Sequence, residues 1–66
     1  MMIKLFKWSE DEDNFIFQEE KEMSPVKFSN VIQMEIRPFL DVIHVSDHHL
    51  VAVDDWNEDD IFMFVF

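Results

Sequence analysis

Hydrophobic and polar residues alternate along much of the chain in runs of about five to twelve residues, each bounded by a cluster of Asp, Asn, Ser or Pro. Successive side chains of a strand point to opposite faces, so the runs read as strands and the clusters as turns. Glycine is absent. Every tight turn therefore falls to Asn, Asp or Ser, which tolerate left-handed or side-chain-bonded conformations. The turns predicted in this way are Ser9 to Asn14, Lys21 to Pro25, Arg37-Pro38, Ser46 to His48 and Asp54 to Asp60.

The segments Met2 to Trp8 and Asn14 to Glu19 predict a hairpin with an acidic loop, with Phe15 and Phe17 on one face of the second strand and Ile16 on the other. Val26 to Arg37 satisfies two templates. Val26, Phe28, Ile32, Met34 and Ile36 alternate with polar neighbours, a pattern broken only at Asn30-Val31, which favours a strand. Phe28, Val31, Ile32, Ile36 and Phe39 also form a helical stripe behind Ser24 as N-cap and Pro25 as first helical residue, but that register places Glu35 inside the stripe. The strand is the preferred reading here and the helix the alternative.

Leu40 to Val45 and His49 to Val53 predict a second hairpin around Ser46-Asp47-His48, and Ile61 to Phe66, apolar throughout, predicts a central strand buried on both faces or covered by a partner. The expected fold is mainly β, a small antiparallel sheet or barrel of about five to six short strands in one domain spanning residues 1–66. An α+β fold with one helix at about residues 25–37 is the alternative.

Composition sharpens this picture in two ways. A chain of 66 residues is near the lower limit for a self-sufficient core, and without cysteine neither a disulfide nor a thiolate–zinc site can help it. Eight Phe, two Trp and five Met supply dense packing instead, each large buried side chain contributing about 1.5–3 kcal/mol. The second change comes from charge. Fifteen Asp and Glu against five Lys and Arg give −10, beyond the magnitude of about 2–8 that solubility asks of a small domain. All five basic residues lie at or before Arg37, so eight acids there leave −3 and the seven acids from Pro38 onward leave −7.

Most of the acid falls in two runs, Glu10-Asp11-Glu12-Asp13 and Asp54-Asp55-Trp56-Asn57-Glu58-Asp59-Asp60. One reading makes them solvated loops that keep a Phe-rich domain in solution. The other makes Glu10, Asp11, Glu12, Asp13, Asp54, Asp55, Glu58, Asp59 and Asp60 a contact for Lys and Arg side chains built to receive phosphates, with Trp56 as an apolar anchor. Trp8, beside the first run, admits the same pair of readings, anchor or core.

Other chemistries find less support. Calcium takes about six to eight oxygen ligands, and the glycine-centred loop spacing that supplies them is absent. His44, Asp47, His48 and His49 form the one cluster with transition-metal chemistry, yet the adjacent His48 and His49 point apart on a strand, and no HExxH or cysteine accompanies them. No metal or cofactor is expected. Protonated imidazoles would weaken the negative field below about pH 6. Catalysis lacks a Gly-rich phosphate loop, a cysteine nucleophile and a cleft in which a carboxyl could be tuned, so an enzyme is not expected. Nucleic acid would meet a repelling surface. The lysine-interrupted N-terminus suits neither a signal peptide nor a membrane span, and cytoplasmic location is the default expectation.

In size, acidity and lack of glycine and cysteine the chain resembles phage- and virus-encoded DNA mimics and anti-defence proteins, among them inhibitors of CRISPR effectors, restriction enzymes and uracil-DNA glycosylase. The resemblance is compositional and carries no residue roles. It implies a partner that is a basic nucleic-acid-binding protein, such as a host nuclease, glycosylase or CRISPR or restriction effector. The alternative expectation is an accessory or assembly subunit that binds a partner or dimerises through Ile61–Phe66, by strand addition or by its apolar side chains.

Overall fold

The computed structural model describes Met1–Phe66. Five antiparallel strands form one open sheet: β1 (Met2–Ser9), β2 (Asn14–Glu22), β3 (Leu40–Val45), β4 (His49–Asp54) and β5 (Ile61–Val65), in the spatial order β2-β1-β5-β4-β3. One helix, α1 (Pro25–Val31), continues as a π-helical turn over Ile32–Ile36 and lies across one face. The mainly β expectation holds, together with its one-helix alternative.

For residues 25–37 the preferred strand reading is corrected to helix, and the reason is local. Ser24 is extended, and its Oγ accepts the Lys27 N–H at 3.1 Å while Pro25 opens the first turn. The helix then widens: the Arg37 N–H donates to the Ile32 carbonyl at 2.8 Å, an i→i+5 bond. Ile36 packs onto the sheet as the helical stripe requires, at 4 % exposed, while Glu35 stays exposed at the rim of the helix–sheet contact.

Register fixes which side chains share a face. Leu5 pairs with Phe64, which pairs with Leu50, and these face the helix together with Ile3, Ala52 and Phe66. Ile36, Leu50 and Ala52 form the buried centre, with Val31, Ile32, Leu40 and Val42 against it. Phe28 joins from the helix, its ring 4.9 Å from Phe66 and 6.5 Å from Phe64. Only five of 66 residues are buried, so the core sits entirely on the helix side.

The opposite face has no covering layer. Its middle row is Phe17, Phe6, Met63 and Val51 across β2, β1, β5 and β4, set by the pairs Phe6–Phe17, Phe6–Met63 and Val51–Met63. Phe15, Trp8, Ile61 and Val53 form the row nearer the acidic loops, by alternation and the pairs Trp8–Phe15 and Val53–Ile61. Edge-to-face contacts tie the aromatic half together, Phe6 to Phe17 at 5.8 Å and Trp8 to Phe15 at 5.2 Å. Beyond the middle row come Lys4, Val65 and His49.

Two bulges shape these faces. Gln18 is the unpaired residue in β2, since Leu5 opposes Glu19 while Phe6 opposes Phe17. The shift lets Phe15, Phe17, Glu20 and Glu22 share the open face and turns Glu19 and Lys21 toward the helix side. Ile43 is the corresponding residue in edge strand β3, between Val42 opposite Ala52 and His44 opposite Val51.

β5 is central, as expected, but differently covered on its two sides. Phe62, Phe64 and Phe66 turn toward the helix layer, whereas Ile61, Met63 and Val65 belong to the open face. Both edges of β5 are already paired, to β1 and β4, so a partner strand has no place to add there.

Candidate functional site

Strand direction brings the two acidic runs together. β1 leads into the Glu10–Asp13 loop; β5 runs antiparallel to β1 and to β4, so the loop between β4 and β5 lies at the same end of the sheet. Because β1 and β5 are neighbours, the two hairpin tips are about 10 Å apart, two strand spacings. Lys7, near the end of β1, pairs with the second loop, its Nζ 3.4 Å from Asp60 Oδ1 and 5.9 Å from the centre of the Phe62 ring.

All ten residues singled out by the sequence, Glu10 to Asp13, Asp54 to Trp56 and Glu58 to Asp60, lie at this end. The first run contributes −4 and the second −5, so the two loops carry −9; with Lys7 beside them this end holds −8 of the total −10. The molecule is strongly polarised along its strands. The division of charge between N- and C-terminal halves, −3 against −7, disappears once the chain is folded.

Each loop is held by its own backbone chemistry. In the first, Ser9 Oγ accepts the Glu12 N–H at 3.3 Å and Asp13 adopts φ 51°, the left-handed position that a glycine would ordinarily fill. In the second, Asp54 Oδ1 accepts the N–H groups of Trp56 at 2.8 Å and Asn57 at 3.3 Å, while Asn57 Oδ1 accepts that of Asp59 at 3.2 Å. Asp54 is thus a structural residue of the loop, and Asp60 is occupied with Lys7. Asp55, Glu58 and Asp59 make no side-chain bond and face solvent freely, as do the four acids of the first loop.

Trp56 is 97 % exposed at the tip of the second loop, which places it outside the core. Trp8 is partly buried against Phe15 on the open face. Of the histidines, His48 Nδ1 lies 3.0 Å from the Phe66 carbonyl oxygen and His49 Nδ1 3.4 Å from Ser46 Oγ, both at the end of the sheet remote from the acids. No three His, Asp or Glu side chains come together as a metal-binding group, and no helix is long and apolar enough to cross a membrane.

A concavity of about 440 Å³ lies beside the helix on the covered face, lined by Ile3, Leu5 and Phe28 and by Lys21, Lys27, Glu19 and Glu35. Its two cations and two anions balance, and it does not open onto the acidic end. Sequence reasoning overlooked the open apolar face. Its signal was present in Phe15 and Phe17 alternating with Ile16, and in Phe6 and Trp8 alternating with Lys7, but a pairing partner is needed to align those positions.

Fold and site together define a small open-faced antiparallel sheet with one helix, polarised by an acidic end. Comparison with protein-family models, with curated proteins and with solved structures gives no match.

Proposed function

We propose that this chain is a binding protein that occupies the basic, nucleic-acid-binding surface of another protein, its acidic end standing where phosphates would lie. The carrying observation is the concentration of −9 of the −10 net charge on two adjacent loops. A cationic groove gains entropy from counterion release when it binds DNA, and a rigid set of carboxylates competes for the same Lys and Arg side chains. The exposed Trp56 adds an apolar anchor inside the acidic rim. Size and composition favour an inhibitor of the anti-defence type, directed at a host nuclease, glycosylase, or CRISPR or restriction effector.

The test uses the immobilised full chain and a nucleic-acid-depleted bacterial lysate. The comparison is a variant with Asp55, Glu58 and Asp59 changed to Lys, which spares Asp54 and Asp60. Nucleic-acid-binding proteins are expected to be retained by the parent chain, displaced by excess double-stranded DNA, washed off at about 0.5 M salt, and missed by the variant. Retention that withstands both DNA and salt would sink the proposal.

A second reading, an accessory subunit held by an apolar contact, draws on the open sheet face. That contact would involve Ile61, Met63 and Val65 without Phe62, Phe64 or Phe66.

A further inference from the structure

We infer that the open face of the sheet is the interface of a homodimer, in which a second copy packs face to face with its strands running the opposite way. The inference stands independently of the acidic-end proposal, because it uses the face and not the loops as the contact.

Three observations select a second copy as the occupant. The first is the size of the core. Five buried residues, all on the helix side, are little for a cysteine-free chain of this length, and small domains that lack a disulfide or metal commonly complete their core by association. The second is area. Phe17 is 51 % exposed and Phe6, Trp8, Phe15, Ile61, Met63, Val51 and Val53 beside it are partly exposed, leaving an apolar patch on the order of several hundred Å². With a polar rim of Lys4, Glu20, His44 and His49 the face approaches the roughly 800 Å² per partner of an interface of standard size, and it has the apolar centre and polar margin such interfaces show.

The third observation, charge, also fixes the orientation. Residues on one face of a strand recur about every 6.7 Å, so the face is a ladder: acidic loops, the Trp8 row, the Phe6 row, then the row of Glu20, Lys4, Val65 and His49. A twofold axis crossing the strands between the Trp8 and Phe6 rows lays each of these apolar rows on the other. The same rotation places the acidic loops of each copy over the row of Glu20, Lys4, Val65 and His49 of the other and keeps the two acidic ends at opposite ends of the dimer. An axis parallel to the strands would instead stack both acidic ends, twice nine carboxylates, at one end of the dimer. Aligned sheets packed about 10 Å apart accommodate the crossing arrangement.

Sedimentation equilibrium of the purified chain tests association directly. A mass of twice 8.1 kDa, about 16 kDa, is expected at tens of micromolar. A folded 8.1 kDa species persisting at about 100 µM would overturn the proposal and leave the face to a different protein. Phe17→Asp should dissociate the dimer whether or not the released chain stays folded, and an unchanged dimer mass would place the interface elsewhere. Orientation has separate readouts. Lys4→Glu should weaken dimerisation by about tenfold, since it sets a carboxylate against an acidic loop; an unchanged Kd contradicts the crossing axis. The chain has no cysteine, so Asp11→Cys carries a unique spin label. Label separations beyond about 20 Å support the crossing axis, and shorter ones refute it, given a strand spacing of about 4.8 Å and a sheet spacing of about 10 Å.

Discussion

Leu50 is the residue on which the helix-side core depends most. It is 1 % exposed, lies in β4 opposite Phe64, and packs with Ile36 and Ala52 beneath the π-helical turn. Leu50→Ala removes about three carbon-group equivalents, roughly 2.4 kcal/mol of transfer free energy, and the cavity left under a helix held by few contacts raises the cost to about 2.5–5 kcal/mol. The stability of a 66-residue chain is on the order of 3–10 kcal/mol, so the substitution consumes roughly half of it and lowers the unfolding midpoint markedly. Urea unfolding at one fixed protein concentration, followed by far-UV circular dichroism, measures the change; a fixed concentration matters because self-association contributes to apparent stability. Fluorescence of Trp8 in a Trp56→Phe background gives a second probe, since Trp56 is already solvated in the folded state. Met34→Ala, on the outer side of the helix at 73 % exposure, is the control and should stay within about 0.5 kcal/mol of the parent. A loss below about 1 kcal/mol for Leu50→Ala would mean that the cluster around Ile36 and Ala52 is not what holds the sheet to the helix.

Two further substitutions probe local devices. Ser24→Ala removes the acceptor for the Lys27 N–H and should lower stability by about 1 kcal/mol, measured by urea unfolding, with Ser24→Asp restoring it. Asp54→Ala frees the Trp56 and Asn57 N–H groups; faster amide exchange at those positions, with core amides of β4 unchanged, is the expected result by NMR.

Where the sequence was informative, the reason is local chemistry. Ser9 to Asn14, Ser46 to His48 and Asp54 to Asp60 are turns because Asp, Asn and Ser carry the side-chain oxygens and conformational tolerance that replace glycine, as Asp13 and Asp54 show in detail. The uninterrupted apolar run Ile61–Phe66 marked a central strand. The helix was masked because the same residues also alternate as a strand would, and Glu35, exposed at the rim of the stripe, counts against a helix it does not obstruct. The bulges at Gln18 and Ile43 were invisible for a related reason: alternation within one strand says nothing about a residue skipped by its neighbour. The adjacency of the acidic loops depends on β1 lying beside β5, a pairing of residues almost a chain length apart, which no local pattern encodes.

That same pairing decides when the molecule can exist. The hairpins β1-β2 and β3-β4 are not neighbours in the sheet; β5, the last of the strands in sequence, slots between them and supplies the ladder on both sides. During synthesis the first hairpin and the helix emerge with nothing to complete their sheet, and the second hairpin emerges beside them without a seam to join. Folding therefore waits for the final segment, and its closing contacts span the longest separations in the chain, a topology that folds slowly compared with one built from local contacts. A chain stopped at Asp60 would lose the keystone of the sheet along with a strand, leaving the two hairpins detached and the helix with only its contacts to β3 and β4.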